Sequence, residues 1–137
     1  GIAFVAFAPV GRGALGDALG DPATLEDADL RTRMPRFSPA NWPHNLALID
    51  EFAMLAREAG ATPAQLALGW LLSRGGNVHA IPGTTSLAHL ADNHAAAGSS
   101  IAPDLLERAG RLINHDTVAG HRYHDAIKPT IDTEEFA

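Results

Sequence analysis

The 137-residue chain is 46% hydrophobic and 19% charged, with a net charge of −6 and no cysteine. That balance describes one globular domain's worth of chain rather than a disordered segment, and it leaves no disulfide or thiolate chemistry. Lys128 is the single lysine and the nine arginines are scattered, so the clustered basic face of a nucleic-acid-binding protein is missing. No apolar run approaches the roughly 18–20 residues of a membrane span. The absence of cysteine fits a reducing compartment and a cytoplasmic location.

The chain opens with Gly1-Ile2-Ala3-Phe4, which has neither an initiator Met nor a basic leader, and it reads as a cut rather than a beginning. Residues 2–7, IAFVAF, form an apolar run without alternation, closed by Pro9 and Gly11. Such a run predicts a buried strand of a parallel sheet covered on both faces. Residues 10–41 are rich in Gly, Pro and Asp, and only DADLRTRM suggests a turn of helix. A connection this long and irregular is functional or disordered.

From Pro43 to Ala59 apolar residues recur at helical spacing, at Leu46, Ile49, Phe52 and Ala56, until Gly60. Thr62-Pro63 reads as an N-cap and first helical residue, opening a second helix that runs through Leu72. Its apolar residues lie nearly all round, which predicts deep packing. Gly75-Gly76 follows, then a second strand over residues 78–82, a helix over 86–97 and another over 103–114. The tail, 115–137, is polar, histidine-rich and patternless. The order β, long loop, αα, β, α, α implies parallel strands with helical crossovers, an α/β class. Two parallel strands leave open edges, so the missing part of a larger sheet or another chain is expected to cover them.

Two loops carry candidate chemistry. FAPVGRG, residues 7–13, follows the first strand at the end where parallel sheets bind ligands. Gly11 and Gly13 permit close backbone approach and Arg12 can meet a phosphate, although a plain Pro-Gly loop with a solvated arginine has the same spelling. VHAIPGTTSLAHLADN, residues 78–93, places Thr84, Thr85 and Ser86 at a helix mouth, where unpaired N–H groups and the helix dipole favour an anion. The same hydroxyls serve equally as an ordinary N-cap. His89, Asp92 and Asn93 share a face of the first turns. In the tail, His115-Asp116 and His121-Arg-Tyr-His124-Asp125 raise the question of a metal, but no helical His pair with a third ligand exists, so a solvated tail is expected. His79 is expected to be a packed strand histidine, and Asp17, Asp21, Glu26, Asp27 and Asp29 a solvated surface. There is no GxSxG, P-loop or GxGxxG.

GIAFVAFAPVGRG, then NLALIDEFAMLAREAGATPAQLALGWLLSRG, then VHAIPGTTSLAHLADN, with the ending GHRYHDAIKPTIDTEEF, resembles the C-terminal part of the aldo-keto reductases. The resemblance implies a C-terminal fragment of a (β/α)8 TIM barrel: two βα units, with Gly1–Pro9 as strand seven and Val78–Pro82 as strand eight, plus one extra helix. It implies an oxidoreductase whose complete form reduces a small-molecule carbonyl with NADPH, without metal. Phe7 then stands where an aromatic residue, more often Tyr, stacks on the nicotinamide, and Ala8 where many members have Ser. Val10, Gly11, Arg12 and Gly13 match the loop along the pyrophosphate, and Pro9 is also expected at the cofactor. Gly83, Thr84, Thr85 and Ser86 match the turn around the adenosine 2′-phosphate, with Asp92 and Asn93 nearer the adenine and Ile81 and Pro82 also expected at the cofactor. His89 falls where many members carry Arg, and a neutral imidazole is a weaker phosphate partner than a bidentate guanidinium. The family's catalytic Asp, Tyr, Lys and His lie in the first half of the barrel; Tyr123 and Lys128 do not stand at those positions. No catalytic residue is therefore expected here, and the chain alone is expected to be inactive. The alternative is a non-catalytic nucleotide-binding or protein-interaction module related to the same family.

Overall fold

The computed structural model describes residues 1–16 and 19–131, with the Lys128 side chain left aside. Asp17 and the tail residues 132–137 lie outside the described residues. Strands β1 (Phe4–Phe7) and β2 (Val78–Ile81) pair in parallel, Phe4 opposite Val78 and Phe7 opposite Ile81. Between them run an irregular loop and helices α1 (Trp42–Glu58) and α2 (Pro63–Leu72); after β2 come α3 (Leu87–Ala95) and α4 (Pro103–Leu112).

The helix bounds follow local chemistry. The α2 start is a capping box: Thr62 Oγ1 accepts from the Gln65 N–H at 3.1 Å, and Gln65 Oε1 accepts from the Thr62 N–H at 3.3 Å. Pro63 takes the first helical position, where its missing N–H costs nothing. At α4 the expected end at Asn114 moves back to Leu112. Asn114 leaves the helix because its side-chain amide donates to the carbonyls of Gly110 and Arg111, at 3.1 and 2.8 Å. Thr117 Oγ1 donates to the Leu112 carbonyl at 2.9 Å, so the helix end is capped from the tail.

The core sits among helices, not on the sheet. Phe52, Leu55 and Ala56 of α1, Leu66 and Ala67 of α2, and Leu105 and Ala109 of α4 form one buried cluster. Gly110 makes this crossing possible, since a Cβ there would lie 2.5 Å from the Trp70 indole nitrogen. Arg108 of α4 grips Glu58 of α1 through two hydrogen bonds, at 2.6 and 2.9 Å. These bonds hold the Glu58 carboxyl below its usual range and push the arginine further up.

Three expectations about burial need correction. The IAFVAF run is not a buried strand: Ile2, Phe4, Val5 and Phe7 are exposed, because among the described residues the sheet has only two strands and its outer edges lack neighbours. His79 is likewise exposed on β2 rather than packed, for the same reason. α2 is buried at Leu66, Ala67 and Leu68, but its last turn opens to solvent at Leu72.

The loop of residues 10–41 is ordered where it is described. Short 3-10 turns occupy Gly11–Gly13, Pro22–Thr24, Leu30–Arg33 and Pro35–Phe37. Met34, Phe37 and Trp42 build a second core, with Tyr123 of the tail packed against it. The Phe37 and Trp42 rings lie 5.7 Å apart.

Candidate cofactor site at the carboxyl ends of the strands

Both candidate loops leave the same end of the sheet. Because Phe7 pairs with Ile81, Ala8–Gly13 and Pro82–Ser86 start side by side, on strands about 5 Å apart. The first loop is tightly wound. Ala8, Gly11, Arg12 and Gly13 all have positive φ, at 49°, 60°, 57° and 91°. For Ala8 and Arg12 that region costs about 1–2 kcal/mol each, offset by the turn they close. The N–H groups of Gly11, Gly13 and Ala14 donate to the carbonyls of Ala8, Val10 and Gly11. These three amides are spent on the loop itself.

The second loop makes the cap that its hydroxyls suggest. Ser86 Oγ accepts from the His89 N–H at 3.3 Å, and Thr84 Oγ1 accepts from the Ser86 N–H at 3.1 Å. Thr84 and Thr85 are exposed and Ser86 half-buried. His89, Asp92 and Asn93 are half-buried on α3. Asp92 has a second employment that spacing did not reveal. Its carboxylate accepts from Thr62 Oγ1 and from Gln65 Nε2, both at 2.8 Å, which docks α3 onto the capping box of α2.

Further along the long loop, Arg31 clasps Asp29 at 2.9 and 2.6 Å and reaches the Arg12 carbonyl at 3.3 Å. The Arg31 guanidinium and the Arg31 backbone N–H hold the Asp29 carboxyl down at about 2, well below its ordinary value of 3.8. Asp29 is thus a brace for the loop rather than solvated surface.

The tail is not a solvated appendage either, which corrects the expectation for residues 115–131. Asn45 of α1, which the sequence did not single out, is buried and holds it. The Asn45 amide donates to the carbonyls of Arg36 and Ala119, at 2.9 and 2.8 Å, and accepts from the Ala119 N–H at 2.9 Å. His44 Nε2 meets the Thr117 carbonyl at 2.8 Å. His121 is buried, with its Nδ1 accepting from the Tyr123 N–H at 3.2 Å. His115 and Asp116 face each other at 3.2 Å on the surface. Among the described residues no three His, Asp or Glu side chains gather as metal ligands. No described helix is long and apolar enough to cross a membrane.

Along β1 and the helices lies a cavity of about 630 Å³, bordered by Phe4–Pro9, Trp70, Ile113 and Arg122. At its Phe7 end a smaller polar pocket of about 130 Å³ opens.

Comparison with known proteins decides the family. The sequence profile of the Aldo/keto reductase family matches residues 1–108. The chain belongs to that family. The aldo-keto reductase str7 of Strobilurus tenacellus is 30% identical over 136 residues, which is 99% of this chain and 40% of that protein. The aldo-keto reductase yakc of Schizosaccharomyces pombe, whose name carries NADP(+), is 32% identical over 122 residues, 89% of this chain and 36% of that one. The solved structure of a glycerol dehydrogenase from Gluconobacter oxydans superposes with a TM-score of 0.70 at 25% identity, over 80% of this chain and 33% of that enzyme. The chain therefore spans about two-fifths or less of the length of these aldo/keto reductase relatives. Its α/β fold is similar to part of such a barrel enzyme.

Proposed function

We propose that this chain is the cofactor-binding C-terminal portion of an aldo/keto reductase, a cytoplasmic oxidoreductase whose complete barrel reduces a carbonyl with NADPH. The observation that carries the reading is the register of β1 with β2, which starts the two phosphate-capable loops side by side. The yakc name supports NADP(H) as the cofactor.

The residues fit the group unevenly. Phe7 is 54% exposed, so its flat ring is free to take a nicotinamide by stacking. Arg12 supplies a guanidinium to the pyrophosphate from the loop Pro9–Gly13, with Ala8 giving van der Waals contact where a hydroxyl would donate. Ile81, Pro82 and Gly83 lead the backbone to the 2′-phosphate, where Thr84, Thr85 and Ser86 present hydroxyls and the N-terminus of α3. His89 and Asn93 stand on the first turns of that helix. Asp92 contributes by fixing α3 on α2, since both its oxygens are engaged there. NADPH, when bound, supplies the hydride; no residue of this chain is assigned the proton.

The rest of the barrel is the partner this reading implies for the open strand edges, and without it the chain turns nothing over. Energy transfer from Trp42 and Trp70 to NADPH, followed during titration, should report saturable binding. Assay of the same sample with NADPH and a panel of aldehydes should show no carbonyl-dependent oxidation. Turnover by the purified chain would overturn the claim that the acid chemistry lies elsewhere. A native gene product of 14.4 kDa, rather than a markedly heavier one, would overturn the claim that the chain is a portion.

A further inference from the structure

The capping box of α2 holds more than its own helix. Thr62 Oγ1 accepts from the Gln65 N–H and Gln65 Oε1 accepts from the Thr62 N–H, at 3.1 and 3.3 Å. Two donors remain, the Thr62 hydroxyl proton and the Gln65 amide, and both go to one side chain of α3. Asp92 Oδ2 accepts from the hydroxyl and Asp92 Oδ1 from Gln65 Nε2, each at 2.8 Å. Thr62, Gln65 and Asp92 thus close a ring of hydrogen bonds across two helices. The ring is fixed in polarity, because turning the Gln65 amide over would break both bonds that it makes.

This ring joins a firmly packed helix to a lightly packed one. On α2, Leu66, beside Gln65, and Leu68 are fully buried. On α3 no residue is fully buried, and Leu87 and Leu90 are exposed. Apolar packing alone gives α3 little hold on the described residues, so the ring fixes its rotation and its height against α2. Asp92 stands beyond the Ser86 cap by about 9 Å along the helix axis. Over so short a rigid length, a shift at Asp92 carries the helix mouth with it. Hydrogen bonds to phosphate oxygens weaken over a few tenths of an ångström, so a small shift there matters.

We infer that Thr62 and Gln65, which lie outside both proposed loops, are positioning residues for the nucleotide. Through Asp92 they hold the mouth of α3, with Thr84, Thr85 and Ser86, where the 2′-phosphate of NADPH is to be met. The ring itself stands on the hydrogen bonds; its bearing on the nucleotide rests on the proposed function. The strand register sets where the second loop begins. Where that loop ends, at the start of α3, is set by α2. The adenosine half of the cofactor is then held through the helix layer, and the nicotinamide half, at Phe7, through the sheet.

NADPH and adenosine 2′,5′-bisphosphate are the probes, each titrated by calorimetry into the 137-residue chain and its variants. Gln65→Glu keeps the capping box, where Glu serves as well as Gln, but sets a second carboxylate against Asp92. It should weaken both ligands about tenfold, and Gln65→Met, which removes the donor without adding charge, about threefold to fivefold. In the double variant Gln65→Glu with Asp92→Asn, the new amide donates to the new carboxylate and the ring closes again. Affinity should then return to within about threefold of the parent. Circular dichroism of each variant should match the parent. A loss that the double variant does not restore overturns the inference, because the ring is then not what matters. A loss confined to Gln65→Glu overturns it too, as charge acting at a distance. Binding by the parent that both Gln65 variants leave unchanged overturns the inference and leaves the proposed function standing. A parent chain that binds neither probe overturns both.

Discussion

The α2 helix and the β1 strand are both strongly apolar in sequence, yet the structure treats them oppositely. Leu66 of α2 is fully buried, whereas Phe4 and Val5 of β1 are 60% and 56% exposed. The helices find their cover nearby: α1 and α4 pack on α2 and on each other. A parallel strand needs neighbours on both edges and layers on both faces, and among the described residues β1 has one neighbour. Apolarity says that a segment is to be covered; only topology says by what. In the proposed reading the remaining barrel supplies that cover.

The contrast breaks most visibly in the cores. Leu66→Ala should lower the stability of the chain by about 2–5 kcal/mol in urea denaturation, the cost of a cavity at a fully buried leucine. Val5→Ala, on the open strand, should change it by less than about 0.5 kcal/mol. Equal losses would show that the sheet is covered in solution.

Asn45→Ala comes next. It removes three hydrogen bonds from a buried amide and leaves the Arg36 carbonyl and the Ala119 backbone without it. A loss of about 1–3 kcal/mol is expected, together with faster proteolysis at residues 115–125. Stability loss without tail release would deny that Asn45 is the tail's anchor.

The smallest effect is electrostatic and local. The folded Asp29 carboxyl titrates at about 2, below its ordinary value of 3.8, so its contribution to the loop is fully present above that ordinary value. It fades as pH falls from there through about 2. Carbonyl NMR of Asp29 should give the low midpoint, and Arg31→Gln should return it toward 3.8. An unchanged midpoint in that variant would remove Arg31 as the cause.

Elements governed by local chemistry were legible in the sequence. Thr62-Pro63 and Leu72 bound α2 as read, because capping and proline geometry act over three or four residues. The parallel pairing of residues 78–81 with β1 followed from the alternation of strand and helix. Burial of the strands did not, because it depends on neighbours outside the pattern. The Asn45 clasp was illegible for a different reason: it binds backbone carbonyls and an N–H, which every residue except proline offers, so no residue type at position 119 announces it. Asp92 misled because its partners are distant side chains, its two oxygens finding Thr62 Oγ1 and Gln65 Nε2, nearly thirty residues back. At the candidate site, the hydroxyl cap at Ser86 was readable.

Hydrogen exchange of the 137-residue chain with and without saturating NADPH tests the central claim most directly. The account predicts slowed exchange in residues 7–13 and 82–93, the two loops that leave the β1–β2 sheet together, with the α1–α2–α4 core unaffected. Exchange unchanged in both loops at saturating NADPH, or protection placed elsewhere on the chain, would contradict it.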